Sequence, residues 1–170
     1  MTNQKLNVED LIDCCRKNWP REYQDAGATT VRLIRASDVM LATGRKVMEQ
    51  YGLTPAEFDT LATLRKMGIT SKLTPSDLCR ANLLSSGGLT KILHHLEQRG
   101  LISRHPHKTD KRSSYIGLTK QGCDLIDKSM GLVLQDHEEK LAAVYTLDER
   151  EELNRLLKKF HLAHAYCPTD

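Results

Sequence analysis

No stretch of this 170-residue sequence approaches the ~20 consecutive apolar residues that a membrane-crossing helix needs. Its N-terminus also lacks the charged, apolar and small-residue order of a secretion signal. Cysteine is sparse and irregular. The five residues (Cys14, Cys15, Cys79, Cys123, Cys167) are an odd number without repeating spacing, which points to a reducing cytoplasm rather than a disulfide-stapled secreted fold. There is no Gly-rich phosphate loop, no nucleophile elbow and no close grouping of histidine, carboxylate and nucleophile, so an enzyme is not expected. His137-Glu138, the His105/His107 pair, and His161 with His164 do not make a dense ligand cluster, so neither metal nor cofactor is expected. Internal repeats and low-complexity segments are missing too. What is present is a globular balance of 39% hydrophobic and 28% charged residues, in a chain long enough to bury a core of its own.

The formal net charge of +3 conceals an asymmetry. Residues 71–120 hold nine Lys/Arg (Lys72, Arg80, Lys91, Arg99, Arg104, Lys108, Lys111, Arg112, Lys120) and three acids (Asp77, Glu97, Asp110), a charge of +6 that leaves −3 elsewhere. Four of the seven histidines (His94, His95, His105, His107) fall there as well. A basic middle on a mildly acidic frame is the charge pattern of a surface for a polyanion, although charge alone fits a solvated basic face equally well.

Periodicity divides the chain. Val8, Leu11, Ile12 and Cys15 predict a short amphipathic helix over 7–18, and Val31, Ile34, Leu41 and Met48 a longer one from about Thr29 to Gln50, stopped by Gly52. Thr54-Pro55-Ala56-Glu57 reads as an N-cap, a first-turn proline and a capping-box acid, ahead of a helix that ends at Gly68. Thr74-Pro75-Ser76-Asp77 repeats that punctuation before a shorter helix ending near Asn82. Ser85-Ser86 caps another with Leu89, Ile92, Leu93 and Leu96 inside, stopped at Arg99-Gly100. Leu101–Arg104 and Ser114–Leu118 read as short strands around a polar, basic hairpin loop, His105 to Ser113. Thr119 and then Thr146 cap two final helices, and Cys79 and Cys123 sit at apolar stripe positions as small core residues. Helix-turn-helix followed at once by a hairpin is a winged helix-turn-helix, with the basic charge on its second helix and its wing.

The N-terminal residues of a recognition helix point toward base edges in the major groove. Here those are Ser85, Ser86, Gly87, Gly88, Thr90 and Lys91, with His94 one turn on and His95 on the flank. Hydroxyls and bare N–H groups at a helix start bind phosphate. Each glycine there costs roughly 1 kcal/mol of helix stability against alanine, so each needs a reason: close backbone approach to a ligand, or a tight inter-helix turn. In the hairpin loop Arg112 suits a narrow minor groove, with Asp110 placed to hold its guanidinium.

The runs from Gly52 to Leu61, Leu73 to Leu78, Leu84 to Thr90 and Leu96 to Arg104, with Asp110-Lys111-Arg112 and Leu118-Thr119-Lys120-Gln121-Gly122, resemble the MarR family of transcriptional regulators in order and spacing. The resemblance covers roughly residues 30–165. It implies a cytoplasmic homodimer in which the first long helix and the last two form the interface, and two winged lobes read a pseudo-palindrome in double-stranded DNA. Trp19-Pro20-Arg21-Glu22 with Asp25 resembles the branch related to PecS and the urate-responsive regulators, for which the resemblance implies ligand-site roles at Trp19, Asp59 and Arg104. The branch's ligand arginine on the recognition helix falls at Ile92 here, so a small aromatic or phenolic effector, or none, fits better than urate. Some relatives sense oxidants through an N-terminal cysteine, which brings in Cys14 and Cys15.

The expectation is therefore a mainly α protein with a two-stranded β-wing: an N-terminal extension helix at 1–28, a helical dimerisation region at 29–52 and 119–165, and a winged helix-turn-helix lobe at 53–118. Its expected DNA contacts are Ser85, Ser86, Gly87, Thr90, Lys91, His94, His95, Lys108, Asp110, Lys111, Arg112 and Ser113. The expected function is ligand-responsive repression. Two alternatives stay open: a cysteine-based oxidant sensor on the same scaffold, or a winged-helix protein-interaction module that never binds DNA.

Overall fold

A computed structural model of the chain describes residues 7–21, 23, 25–68, 72–82, 85–106 and 114–164. The described elements run α1 (Val8–Asn18), α2 (Asp25–Gln50), α3 (Pro55–Lys66), α4 (Pro75–Asn82), α5 (Ser86–Gln98), β1 (Ile102–Pro106), β2 (Ser114–Leu118), α6 (Lys120–Ala142) and α7 (Leu147–Ala163). This is the mainly α winged helix-turn-helix that the periodicity predicts, and no described helix is long and apolar enough to cross a membrane.

Two boundaries differ from expectation. Helix α2 begins at Asp25 rather than near Thr29 and runs straight through Gly27. A Cβ at Gly27 would stand 2.8 Å from the Tyr23 ring, so this glycine serves close packing inside the helix. Strand β1 continues to Pro106, two residues past the predicted end, because its pairing with β2 extends from Ile102↔Leu118 to Pro106↔Ser114. One pairing has no forerunner in the periodicity: Leu73, ahead of α4, exchanges backbone hydrogen bonds of 3.1 and 2.8 Å with Ile116 and adds a third rung to the wing.

The caps work as written. Thr54 and Thr146 each accept from the N3 amide while the N3 glutamate accepts from the cap's own N–H, and Thr74 and Asp77 exchange the same pair of bonds. At the other ends, Gly52 (φ 60°) and Gly100 (φ 69°) take the left-handed conformation. Their neighbours Leu53 and Leu101 then turn back to donate to Met48 and Leu96 and bury their own side chains.

The core lies inside the lobe, where Leu61, Leu64, Leu78, Leu89, Leu93, Leu96 and Ile116 are almost fully buried; Val47 of α2 and Ile126 and Val133 of α6 join it. Each such side chain contributes roughly 1.5–3 kcal/mol. Exposed ion pairs such as Arg155–Glu152 are screened by water and add little, so it is the apolar cluster that holds the lobe together.

A second apolar surface is left uncovered by the described residues. Helix α7 buries none of its residues. Phe160 is 61% and Leu162 64% exposed, and Leu33, Ile34, Val39 and Leu41 of α2 are exposed as well. Between α2, the end of α6 and α7 runs a groove of about 830 Å³ with apolar walls from Leu33, Val39, Met40, Leu141, Val144 and Leu157.

Where lobe and long helix join, the backbones nearly touch. A Cβ on Gly122, in the first turn of α6, would lie 1.9 Å from the carbonyl oxygen of Leu101. Backbone cannot swing aside as a side chain can, so Gly122→Ala must shift α6 or the start of β1. We expect it to cost about 3 kcal/mol, read as a lower urea midpoint; a wild-type midpoint would contradict the contact.

Candidate nucleic-acid interface

Helix α5 starts at a serine cap: Ser85 is extended (φ −72°, ψ 152°) and its hydroxyl accepts from the Gly88 amide at 3.3 Å. A Cβ on Gly87 would meet nothing within 4 Å, and one on Gly88 only the Ser85 hydroxyl at 3.2 Å. Neither glycine has a positive φ. Among the described residues nothing stands over Gly87, whose backbone is open to solvent, whereas a Cβ on Gly88 would crowd the cap hydroxyl. Ser86 opens the helix.

Downstream the helix divides as its spacing predicts. Leu89, Leu93 and Leu96 are buried and Ile92 half-buried, while Thr90, Lys91, His94 and His95 are exposed. Among these, His94 meets Gln98 through its Nε2 at 3.0 Å. His95 is held differently, by a hydrogen bond between its Nδ1 and Oε1 of Glu57 on α3.

Glu57 was legible in the sequence only as a cap. It is 3% exposed, and its Oε2 accepts from the Thr54 amide at 2.8 Å and hydroxyl at 2.9 Å. Burial pushes this carboxyl up, but the bonds from His95 and Thr54 outweigh burial and hold it below the usual glutamate value. It is an anion fastened between two helices of the lobe.

The wing stands beside α5. Arg104 of β1 reaches back to Glu97 of α5 at 2.9 Å, and His105 meets the Ser103 hydroxyl at 3.0 Å through its Nε2. The expected wing contacts Lys108, Asp110, Lys111, Arg112 and Ser113 lie outside the described residues. They belong to the segment that joins the paired ends Pro106 and Ser114.

The three residues with implied ligand roles sit on separate elements. Trp19 follows α1 and is 60% exposed, Asp59 lies on an exposed position of α3, and Arg104 is engaged by Glu97. No hydrogen bond or ion pair among the described residues joins them, and none of them lines the 830 Å³ groove. Helix α1 docks on α2 through the fully buried Ile12 and a two-pronged Arg32–Glu9 pair (3.1 and 2.6 Å). It carries Cys14 exposed and Cys15 half-buried, whereas Cys79 is half-buried against the core and Cys123 buried. Among the described residues no three His, Cys, Asp or Glu side chains gather as metal ligands would.

Arg99 also does more than its place beside Gly100 suggests. Its guanidinium donates to the carbonyls of Gly52 at 2.6 Å and Tyr51 at 2.8 Å, so it ties the end of α5 to the end of α2. A cation near a C-terminal glycine is legible as a partner for its own helix; the helix it actually caps is brought in by the fold.

The model of the MarR family matches residues 51–113 of this chain, the span from just after α2 to the residue before β2. The HTH-type transcriptional regulator PecS of Dickeya dadantii (strain 3937) is 33% identical over 159 residues, which cover 89% of this chain and 91% of that protein. Among solved structures, a cysteine-to-serine mutant of Escherichia coli MarR complexed with operator DNA aligns with a TM-score of 0.61 at 29% identity, over 76% of this chain and 91% of that one. NadR in complex with 4-hydroxyphenylacetate aligns with a TM-score of 0.62 at 25% identity, over 79% and 89%.

Replacing Arg99 by methionine keeps most of its apolar stem and removes both bonds to the end of α2. We expect a loss of about 2 kcal/mol in chemical denaturation; an unchanged unfolding midpoint would show that the tie contributes nothing.

Proposed function

The chain belongs to the MarR family of transcriptional regulators, and from that premise we propose that it acts in the cytoplasm as a homodimeric, sequence-specific repressor binding a pseudo-palindromic operator. It is a DNA-binding regulator and not an enzyme. The observation that carries the reading is the exposed face of α5: a bare, serine-capped first turn followed by Thr90, Lys91 and His94, on the basic part of the chain and beside the wing.

The contacts proposed on α5 are Ser85, Ser86, Gly87, Thr90, Lys91, His94 and His95; those proposed for the wing are Lys108, Asp110, Lys111, Arg112 and Ser113. Helix-start hydroxyls and amides fix the register on phosphates, and Lys91 and His94 face the bases. The uncovered apolar face of α2 and α7 supports a second copy as its cover, with 29–52 and 119–165 as the dimerisation region, 53–118 as the reading lobe and 1–28 as an extension. A small aromatic or phenolic acid is the proposed effector, in keeping with the compound in the NadR structure. By favouring a lobe spacing that no longer fits the operator, it would shift the population off DNA.

Two measurements test this. In sedimentation velocity we expect a dimer, and Leu157→Glu, which puts a charge on the groove wall, should drive it toward monomer; a monomeric wild type would end the dimer proposal. In anisotropy titrations against operator selected from genomic fragments, affinity should fall with salt at a log–log slope of about −0.9 per phosphate contact. Arg112→Ala should weaken binding roughly tenfold or more, and Lys91→Ala should at least weaken it measurably. Indifference of the wild type to every duplex at low salt would favour the protein-interaction alternative. Adding 4-hydroxyphenylacetate and related phenolic acids to the complex should release the DNA, and release by none of them would remove the effector from the account.

A further inference from the structure

The bond between His95 and Glu57 has no role in the reading so far. At about 100° per residue, Gly87, Lys91, His94 and Gln98 fall in one narrow stripe of α5, and His95 stands roughly 80° from Gly87, on the side turned to α3. A helix lying in the major groove meets bases along its centre and backbone phosphates along its flanks. The His95 side chain is 54% exposed, whereas its partner carboxylate is 4% exposed. Nδ1 is taken by that carboxylate, and no described residue meets Nε2, the ring's outer nitrogen.

We infer that His95 is a proton-dependent phosphate contact and that Glu57 is its positioning residue, an inference that rests on the DNA-binding reading above. With Nδ1 held by an anion, the neutral ring keeps its proton on Nδ1 and turns the lone pair of Nε2 outward, which a phosphate repels. One further proton on Nε2 converts the ring to a cation that donates outward to phosphate while its back rests on Glu57. Phosphate binding and proton uptake at His95 are therefore linked, and binding should strengthen as pH falls.

The surrounding charges leave this pair to itself. Glu57 is the ionisable group of α3 bonded to the ring. Along α5 the titratable and charged neighbours are the exposed Lys91, His94, which meets Gln98, and Arg99, which is committed to the end of α2. On the other elements packed against α5, Asp77 and Arg80 of α4 pair with each other at 2.9 Å, Arg104 of β1 pairs with Glu97, and His105 with Ser103. Thr54, which shares the carboxylate, does not titrate.

The test is a salt titration of a fluorescein-labelled mixed-sequence duplex, long enough for one dimer, at pH values of about 6 and 8. For the wild type the log–log salt slope should be steeper at the lower pH, His95 contributing about 0.9 per protomer. His95→Gln, an exposed change that leaves the core untouched, should remove that increment, so that the difference in slope between the two pH values shrinks by about 0.9 per protomer. Glu57→Gln, checked for wild-type circular dichroism, should shrink it by freeing the ring. A His95→Gln profile superimposable on the wild type at both pH values would overturn the assignment while leaving the DNA-binding reading intact. No binding by the wild type at either pH would remove that reading and this inference with it.

Discussion

Everything the lobe does depends on one junction, where the carbonyl of Leu101 meets the first turn of α6. The Leu101 amide closes the end of α5 onto Leu96 at 3.0 Å, its carbonyl accepts from Thr119 at 3.1 Å, and the Thr119 hydroxyl donates to Gly100 at 2.7 Å. The end of α5, the start of β1, the end of β2 and the start of α6 thus share a few ångströms of backbone, and only a residue without a Cβ fits at position 122. Arg99 adds the end of α2 to the same knot. The helix-turn-helix, the paired strands and the long helix are thereby tied together at one point, and interiors this closely packed transmit displacement instead of absorbing it.

That junction bears on the exposed apolar face. Among the described residues α7 buries none of its own and Leu33, Ile34, Val39 and Leu41 of α2 are exposed, which supports the proposed interface between copies. In the proposed dimer, whatever sets the packing of α2, α6 and α7 between copies also sets the separation of the two α5 helices. An effector then needs only to bias that packing by a few kcal/mol to alter the fit to DNA. The charge is divided as well: residues 71–120 carry +6, while α7 forms the exposed Arg155–Glu152 pair within itself and the Arg150–Glu138 pair to α6.

Much of this was legible in the chain because local rules and the fold agree. Thr54, Thr74, Ser85, Thr119 and Thr146 cap the helices they were expected to cap, and Gly52 and Gly100 stop theirs, since each of these roles needs only the residue and its near neighbours. The failures are instructive for the same reason. The long helix starts at Asp25 and not near Thr29, since Gly27 packs against Tyr23 inside it. Glu57 looks like a cap alone because His95, which uses its second oxygen, lies 38 residues away in the chain. Arg99 reads as a partner of its own helix because nothing local foretells the approach of Tyr51 and Gly52. Leu73 gives no strand signal, being a single rung. What sequence periodicity hides here is contact between elements, and the coupling of the reading helix to its support is made of such contacts.

The account's central claim is that two such bodies grip one duplex symmetrically, and hydroxyl-radical footprinting of the protein on a selected operator tests it most directly. Two protected patches related by a dyad, with centres one helical turn of about 10 bp apart on one face of the duplex, are what two coupled α5 helices require. A single unsymmetrical patch, or uniform cleavage at saturating protein, would contradict it.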